Sequence, residues 1–194
     1  WKHADKVFDT RKKPFTRLAL SVIDLGTDEN ESWRSEIASY LKTDLLCYRA
    51  QSPAELVRRQ EANWDPVLEW IQGALGAPPR VVAGVSAVEQ PSALIEGANN
   101  WLSLLDAWRL AALRQATTST GSAFLAFALL KRAFAAEKLF AASRVDENYQ
   151  AEKWGVDEIA QQRARRLESE FTAAAAFLDC LNGWPATSCR ARRA

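Results

Sequence analysis

GSAFLAFALL, residues 121–130, decides the fold. Gly121 and Ser122 are turn and cap types, and the eight residues that follow, Ala123–Leu130, are apolar on every side. A surface helix keeps a polar face; one that is apolar all round must be enclosed. Eight residues are far short of the roughly 20 that a membrane-spanning helix needs. The segment therefore predicts a short central helix wrapped by others, continuing through Lys131 toward Phe134.

Working outward, the chain supplies such a wrapping. Leu94, Trp101, Leu105, Trp108 and Ala112 predict one or two helices over 92–118 with those residues on the buried side. Upstream, FTRLALSVID (15–24) predicts a short helix stopped by Gly26, and ESWRSEIASYL (31–41) carries Trp33, Ile37 and Leu41 at helical spacing. WKHADKVF (1–8) has the look of a helix tail. TDLLCYRA (43–50) is too short for helix and is expected to be extended or irregular. Ser52-Pro53-Ala54-Glu55 has the form of a helix start, with Ser52 as cap, Pro53 first in the helix and Glu55 completing a capping box. Asp65-Pro66 repeats the pattern, so a kink or a new helix is expected there before the run ends at Gly76. Two adjacent prolines and Val81–Val82 mark 76–91 as the one clear non-helical stretch.

Downstream, 135–154 predicts one helix with two faces. Leu139, Ala142, Val145 and Tyr149 form an apolar stripe. Ala136, Phe140, Ser143, Glu147, Gln150 and Trp154 form another roughly opposite, at about 100° per residue. A carboxylate and an amide between aromatics are poor core material. After Gly155, residues 156–182 predict a last helix with Val156, Ile159, Ala160, Leu167, Phe171, Ala174, Leu178 and Leu181 on its buried stripe, Gly183 as its stop, and a loose tail, WPATSCRARRA. The expectation is an all-α, bundle-like single domain of about seven to eight helices over 1–194, with one irregular stretch near 76–91.

Bulk chemistry narrows the function. A net charge of +1 lacks the basic excess of a nucleic-acid binder, and Arg163, Arg165 and Arg166 are followed at once by Glu168 and Glu170. Arg166 and Glu170 have the spacing of a surface pair. Cys47, Cys180 and Cys189 are odd in number and far apart, which predicts reduced thiols in a cytosol or organelle matrix, with Cys47 and Cys180 in the core. The single histidine, His3, argues against a triad, and no paired cysteines, HExxH motif, calcium loop or glycine-rich phosphate loop is present. The expected set is therefore no catalytic residue, no cofactor, no metal and no membrane insertion. An enzyme built on Glu147 and Asp157 would need both carboxylates to converge across Gly155. Most of the eight tryptophans are expected in the core, with one or two free to dock a partner. No signal peptide is visible and the sequence begins at Trp1 without a Met, so residues upstream are expected.

Five segments in order, PFTRLA (14–19), TDLLCYRA (43–50), WDP (64–66), TTSTGSAFLAFAL (117–129) and DENYQAEKWG (146–155), resemble one family. It is the chaperone family that assembles the F1 head of ATP synthase by handling its alpha subunit, in mitochondria and alphaproteobacteria. The resemblance implies that the chain is the helical C-terminal part, that a β-rich N-terminal part lies upstream, and that Trp1 matches a tryptophan closing the helix between the two. It implies a non-enzymatic, monomeric protein of the mitochondrial matrix or bacterial cytoplasm that binds unassembled alpha subunit and prevents its aggregation. The family's acidic functional residue falls on Glu147, or alternatively Asp146, with Gln150, Trp154 and Phe140 as neighbouring contacts. Two readings of Glu147 stay open: docking to a client arginine, or internal pairing with Arg17 or Arg49. The alternative function is a generic helical adaptor with another client.

Overall fold

The apolar octet forms a helix with no exposed side, and the other elements are arranged around it. The computed structural model describes residues 13–25 and 29–183. In chain order the elements begin with helix α1 (Pro14–Leu25), α2 (Asn30–Tyr40), a 3-10 turn (Leu45–Cys47) and strand β1 (Tyr48–Arg49). Then come α3 (Ala54–Leu75), strand β2 (Val82–Ala83), α4 (Ser92–Ser103), α5 (Ala107–Thr120) and α6 (Ala123–Leu130). The chain continues through α7 (Ala136–Ala142), α8 (Val145–Trp154) and α9 (Glu158–Leu181). Every side chain of α6 is buried. Helix α5 packs on α6 and is itself clasped by α1, α2 and α9, while α3 crosses the other flank of α6 and carries α4, α7 and α8. The all-α class stands, with nine α-helices among the described residues.

Helix α6 is placed by two polar groups. Its cap, Ser122, accepts from the Leu125 N–H at 3.1 Å. Ser122 in turn donates at 2.7 Å to Asp44, a fully buried carboxylate. Asp44 also accepts from the backbone N–H groups of Phe124 and Leu46, each at 3.1 Å. One side chain thus holds the start of α6 and the 3-10 turn together.

TDLLCYRA is extended or irregular as expected, and its strand pairs in parallel with β2, Tyr48 opposite Val82 and Arg49 opposite Ala83. That pairing anchors the non-helical stretch 76–91. At the far end of α3, the backbone of α4 approaches closely at Gly97. A Cβ there would lie 2.6 Å from the Leu75 carbonyl oxygen. Gly97→Ala is expected to destabilise by about 1–3 kcal/mol, as overpacking does, read as a lower urea midpoint with unchanged slope.

Several expectations need correcting. Helix α3 starts at Ala54 with Pro53 in the cap position and no side-chain cap bond, so the Ser52 capping box does not form. Glu55 is drawn instead to Arg59 and Lys153. Pro66 neither ends nor restarts α3. Asp65 spends its carboxylate on Arg49, and buried Trp64, Val67, Leu68 and Ile71 hold both halves on the core.

The 135–154 helix is broken at Ser143–Arg144. The Trp64 indole Nε1–H donates to the Ala142 carbonyl at 2.7 Å, the acceptor a continuous helix would offer to residue 146. The Ser143 hydroxyl also bonds back to the Phe140 carbonyl, a competitor of helix bonding.

In α9 only Phe171, Ala173, Ala174, Phe177 and Leu178 are buried; Leu167 and Leu181 are half-buried, Ile159 and Ala160 are exposed, and so is Val156 just ahead of the helix. Glu170 pairs with Arg17 at 3.0 Å, not with Arg166. Trp108 lies near the surface, stacked 6.0 Å from Phe177, and Trp101 and Leu105 are only half-buried. Cys47 is buried as expected, but Cys180 is exposed. The readings of residues 1–8, Trp1, His3, Gly26, Cys189 and the tail fall outside the described residues.

Candidate functional site

Helix α8 carries the polar and aromatic run, and its inner face explains how rigidly the outer face is held. Val145 and Tyr149 are buried against α3. Arg59 of α3 bridges Glu55 at 2.8 Å and Glu152 at 2.7 Å, and Lys153 reaches Glu55 at 2.9 Å. Both cations lie 5.2 Å from the Tyr149 ring centre, within cation–π range. The network shows in its ionisation. The Lys153 ammonium, hydrogen-bonded to Glu55, holds the Glu55 carboxyl below its ordinary value. Glu152 in turn holds Arg59 above its own, and Glu55 does the same for Lys153. Each pair is exposed and weak alone, but together they clamp two turns of α8 to α3.

The five expected site residues separate into three environments. Glu147, Gln150 and Trp154 are exposed along the outer face of α8. Glu147 meets Arg144, one turn back, at 2.8 Å, and its side chain keeps 51% exposure. Neither Arg17 nor Arg49 reaches it, since they are taken by Glu170 and Asp65. Asp146 points inward and accepts from the Gln60 Nε2–H at 2.7 Å, while Gln60 accepts from the Ala50 N–H at 2.8 Å. Asp146 is thus a tie between α8 and α3. Phe140 belongs to α7, half-buried 5.6 Å from Phe171 of α9, on the floor of a groove.

Two features went unread in the sequence. Beyond Trp154, the expected contact, which is 77% exposed, Val156 and Ile159 are exposed too, at 63% and 78%. Periodicity assigned the latter two to a buried stripe; a repeat gives a face but not what lies opposite it. The second is the groove between α7–α8 and α9, about 330 Å³, which only tertiary packing creates.

Among the described residues no group of histidine, cysteine and carboxylate side chains could hold a metal, and no helix is long and apolar enough to cross a membrane. Burial, reinforced by the Asp44 carboxylate, pushes the Cys47 thiol up to about 12, which leaves it protonated and unreactive.

These features define a predominantly helical domain that presents a ridge of carboxylate, amide and indole on a helix tied to α3. Comparison with known proteins places it further. The sequence model of the ATP12 chaperone protein family matches residues 1–72. Protein atp12, mitochondrial, of Schizosaccharomyces pombe is 29% identical over 178 residues, covering 87% of this chain and 61% of that protein. The chain therefore spans less than two thirds of that relative's length. The crystal structure of Atp12 from Paracoccus denitrificans superposes with a TM-score of 0.81 at 34% identity, covering 86% of this chain and 71% of that one. A candidate chaperone from Agrobacterium tumefaciens gives 0.81 at 37% identity, covering 87% of this chain and 63% of that one. The chain belongs to the ATP12 chaperone family.

Proposed function

We propose that this chain is a chaperone for assembly of the F1 part of ATP synthase, holding the unassembled alpha subunit until its proper neighbour displaces the chaperone. It acts as the helical C-terminal part of a longer protein, as a monomer, by binding and without a catalytic step, in the mitochondrial matrix or the bacterial cytoplasm. A subunit destined for a large interface exposes apolar area worth about 25 cal/mol per Å² when buried, which drives non-productive association. A temporary cover must be apolar enough to compete and polar enough to let go.

The observation that carries the reading is the outer face of α8. Glu147, Gln150 and Trp154 stand exposed on a helix whose inner face is tied down by Gln60, Arg59 and Glu55. A ridge that loses little freedom on docking gives up less of its binding energy. Glu147 would meet a client arginine, and Trp154 with Val156 and Ile159 would cover apolar surface.

Retention of purified alpha subunit on immobilised chain, with suppression of its aggregation by light scattering, tests the proposal; failure of both rejects it. Glu147→Gln is expected to weaken retention about tenfold, the size of one charged hydrogen bond. Melting should shift little, because the exposed pair with Arg144 is worth at most about 1 kcal/mol. A large drop in melting temperature would make Glu147 a folding residue instead.

A further inference from the structure

The groove between α7–α8 and α9 has a chemistry of its own. Phe140 and Phe171 form its floor, and Ala141 and Ala164 leave its walls open. At about 330 Å³ it is at the small end of ligand-binding clefts, room for one large side chain. Its mouth is acidic. Glu137 and Glu168 are exposed on its lining and pair with no cation among the described residues. The one cation lining it, Arg144, is committed to Glu147 just outside. An apolar floor beside two carboxylates that form no ion pair among the described residues, Glu168 sharing its other side with Lys13 and Arg165, favours an apolar anchor accompanied by positive charge.

We propose that this groove seats a segment of the client in which one large apolar side chain, Leu, Met or Phe, lies beside an arginine or lysine. The anchor rests on Phe140 and Phe171, and the neighbouring cation reaches Glu137 or Glu168. The groove opens next to Arg144 and Asn148, so its occupant would continue onto the Glu147 ridge. This inference rests on the alpha-subunit reading above and adds a second, deeper contact to it.

The test uses the alpha subunit as probe and the whole chain as bait. Ala164→Phe fills the groove without changing charge, and the double variant Glu137→Lys, Glu168→Lys inverts its mouth. Both are expected to weaken retention at least about tenfold, as loss of an anchor does. Glu61→Lys with Glu69→Lys, exposed on α3 and outside the groove, should leave retention unchanged. Folded groove variants that retain alpha subunit like the natural chain overturn the groove and leave the broader reading standing. No retention by the natural chain overturns both. Where a variant unfolds, p-benzoylphenylalanine at exposed Ala141, photocrosslinked and mapped by mass spectrometry, decides. A crosslinked client segment with a basic residue beside an apolar one upholds the assignment, and no crosslink, or a segment lacking the cation, ends it.

Discussion

Asp44→Ala is expected to lower the unfolding free energy by about 4 kcal/mol, because each buried donor left without an acceptor costs about 1–3 kcal/mol. Three such donors lose their partner at once: the Leu46 and Phe124 N–H groups and the Ser122 hydroxyl. Two of these lie at the start of α6, every side chain of which is buried. Asp44→Asn keeps one acceptor oxygen and should lose about half as much.

Asp44 also gives stability a pH signature. Burial is the largest influence and raises its pKa from 3.8 to about 6, against the opposing hydrogen bonds of Ser122, Phe124 and Leu46. An acid whose folded pKa is raised holds its proton more tightly in the folded state. Its contribution is therefore full below about pH 4 and is lost as pH rises through about 6. The difference amounts to about 3 kcal/mol at roughly 1.4 kcal/mol per pKa unit. Urea titrations of the natural chain and Asp44→Asn between those pH values should show a gap that changes by that order. A gap independent of pH would mean that Asp44 titrates normally.

Trp64→Ala is the second large effect, about 4–5 kcal/mol, at the upper end of aromatic-to-alanine losses in cores. Trp64 is completely buried, its indole N–H holds the Ala142 carbonyl, and the Arg49 guanidinium lies 4.9 Å from its ring centre. Removing it leaves a cavity, an orphaned carbonyl and a cation without its aromatic partner. Trp64→Phe fills most of the space but not the hydrogen bond, and should lose about 1–2 kcal/mol. The two variants separate packing from the bond. Because that bond terminates α7, hydrogen exchange of the Asp146 and Glu147 amides should change more in either variant than exchange within α5. Uniform exchange changes would show that Trp64 acts on the whole core and not on the α7–α8 break.

Folding around α6 was legible because an all-apolar octet between a cap and a charged residue admits only enclosure. The irregular stretch 76–91 was legible because two prolines and a lack of helical periodicity say so locally. Glu147, Gln150 and Trp154 could be recognised as unsuited to a core, and they lie on the surface. Asp146 stood as the alternative to Glu147 because the sequence shows two adjacent carboxylates and not their directions; 100° of helix turn sends one to Gln60 and the other to solvent.

What the sequence alone determined was local and periodic: that most of the chain is helical, the Ser122 cap of α6, and the glycine stops at Gly76 and Gly155. What only the tertiary structure decided was which groups meet across the chain. A tryptophan 78 positions upstream splits one predicted helix into α7 and α8 by taking its carbonyl. The start of the expected apolar stripe, Val156, Ile159 and Ala160, is exposed and not buried. The groove exists only where the separated α7–α8 pair leans on α9. Each depends on contacts between residues far apart in sequence, and hydrophobic periodicity, which reports a direction around one helix axis, carries no information about what stands in that direction.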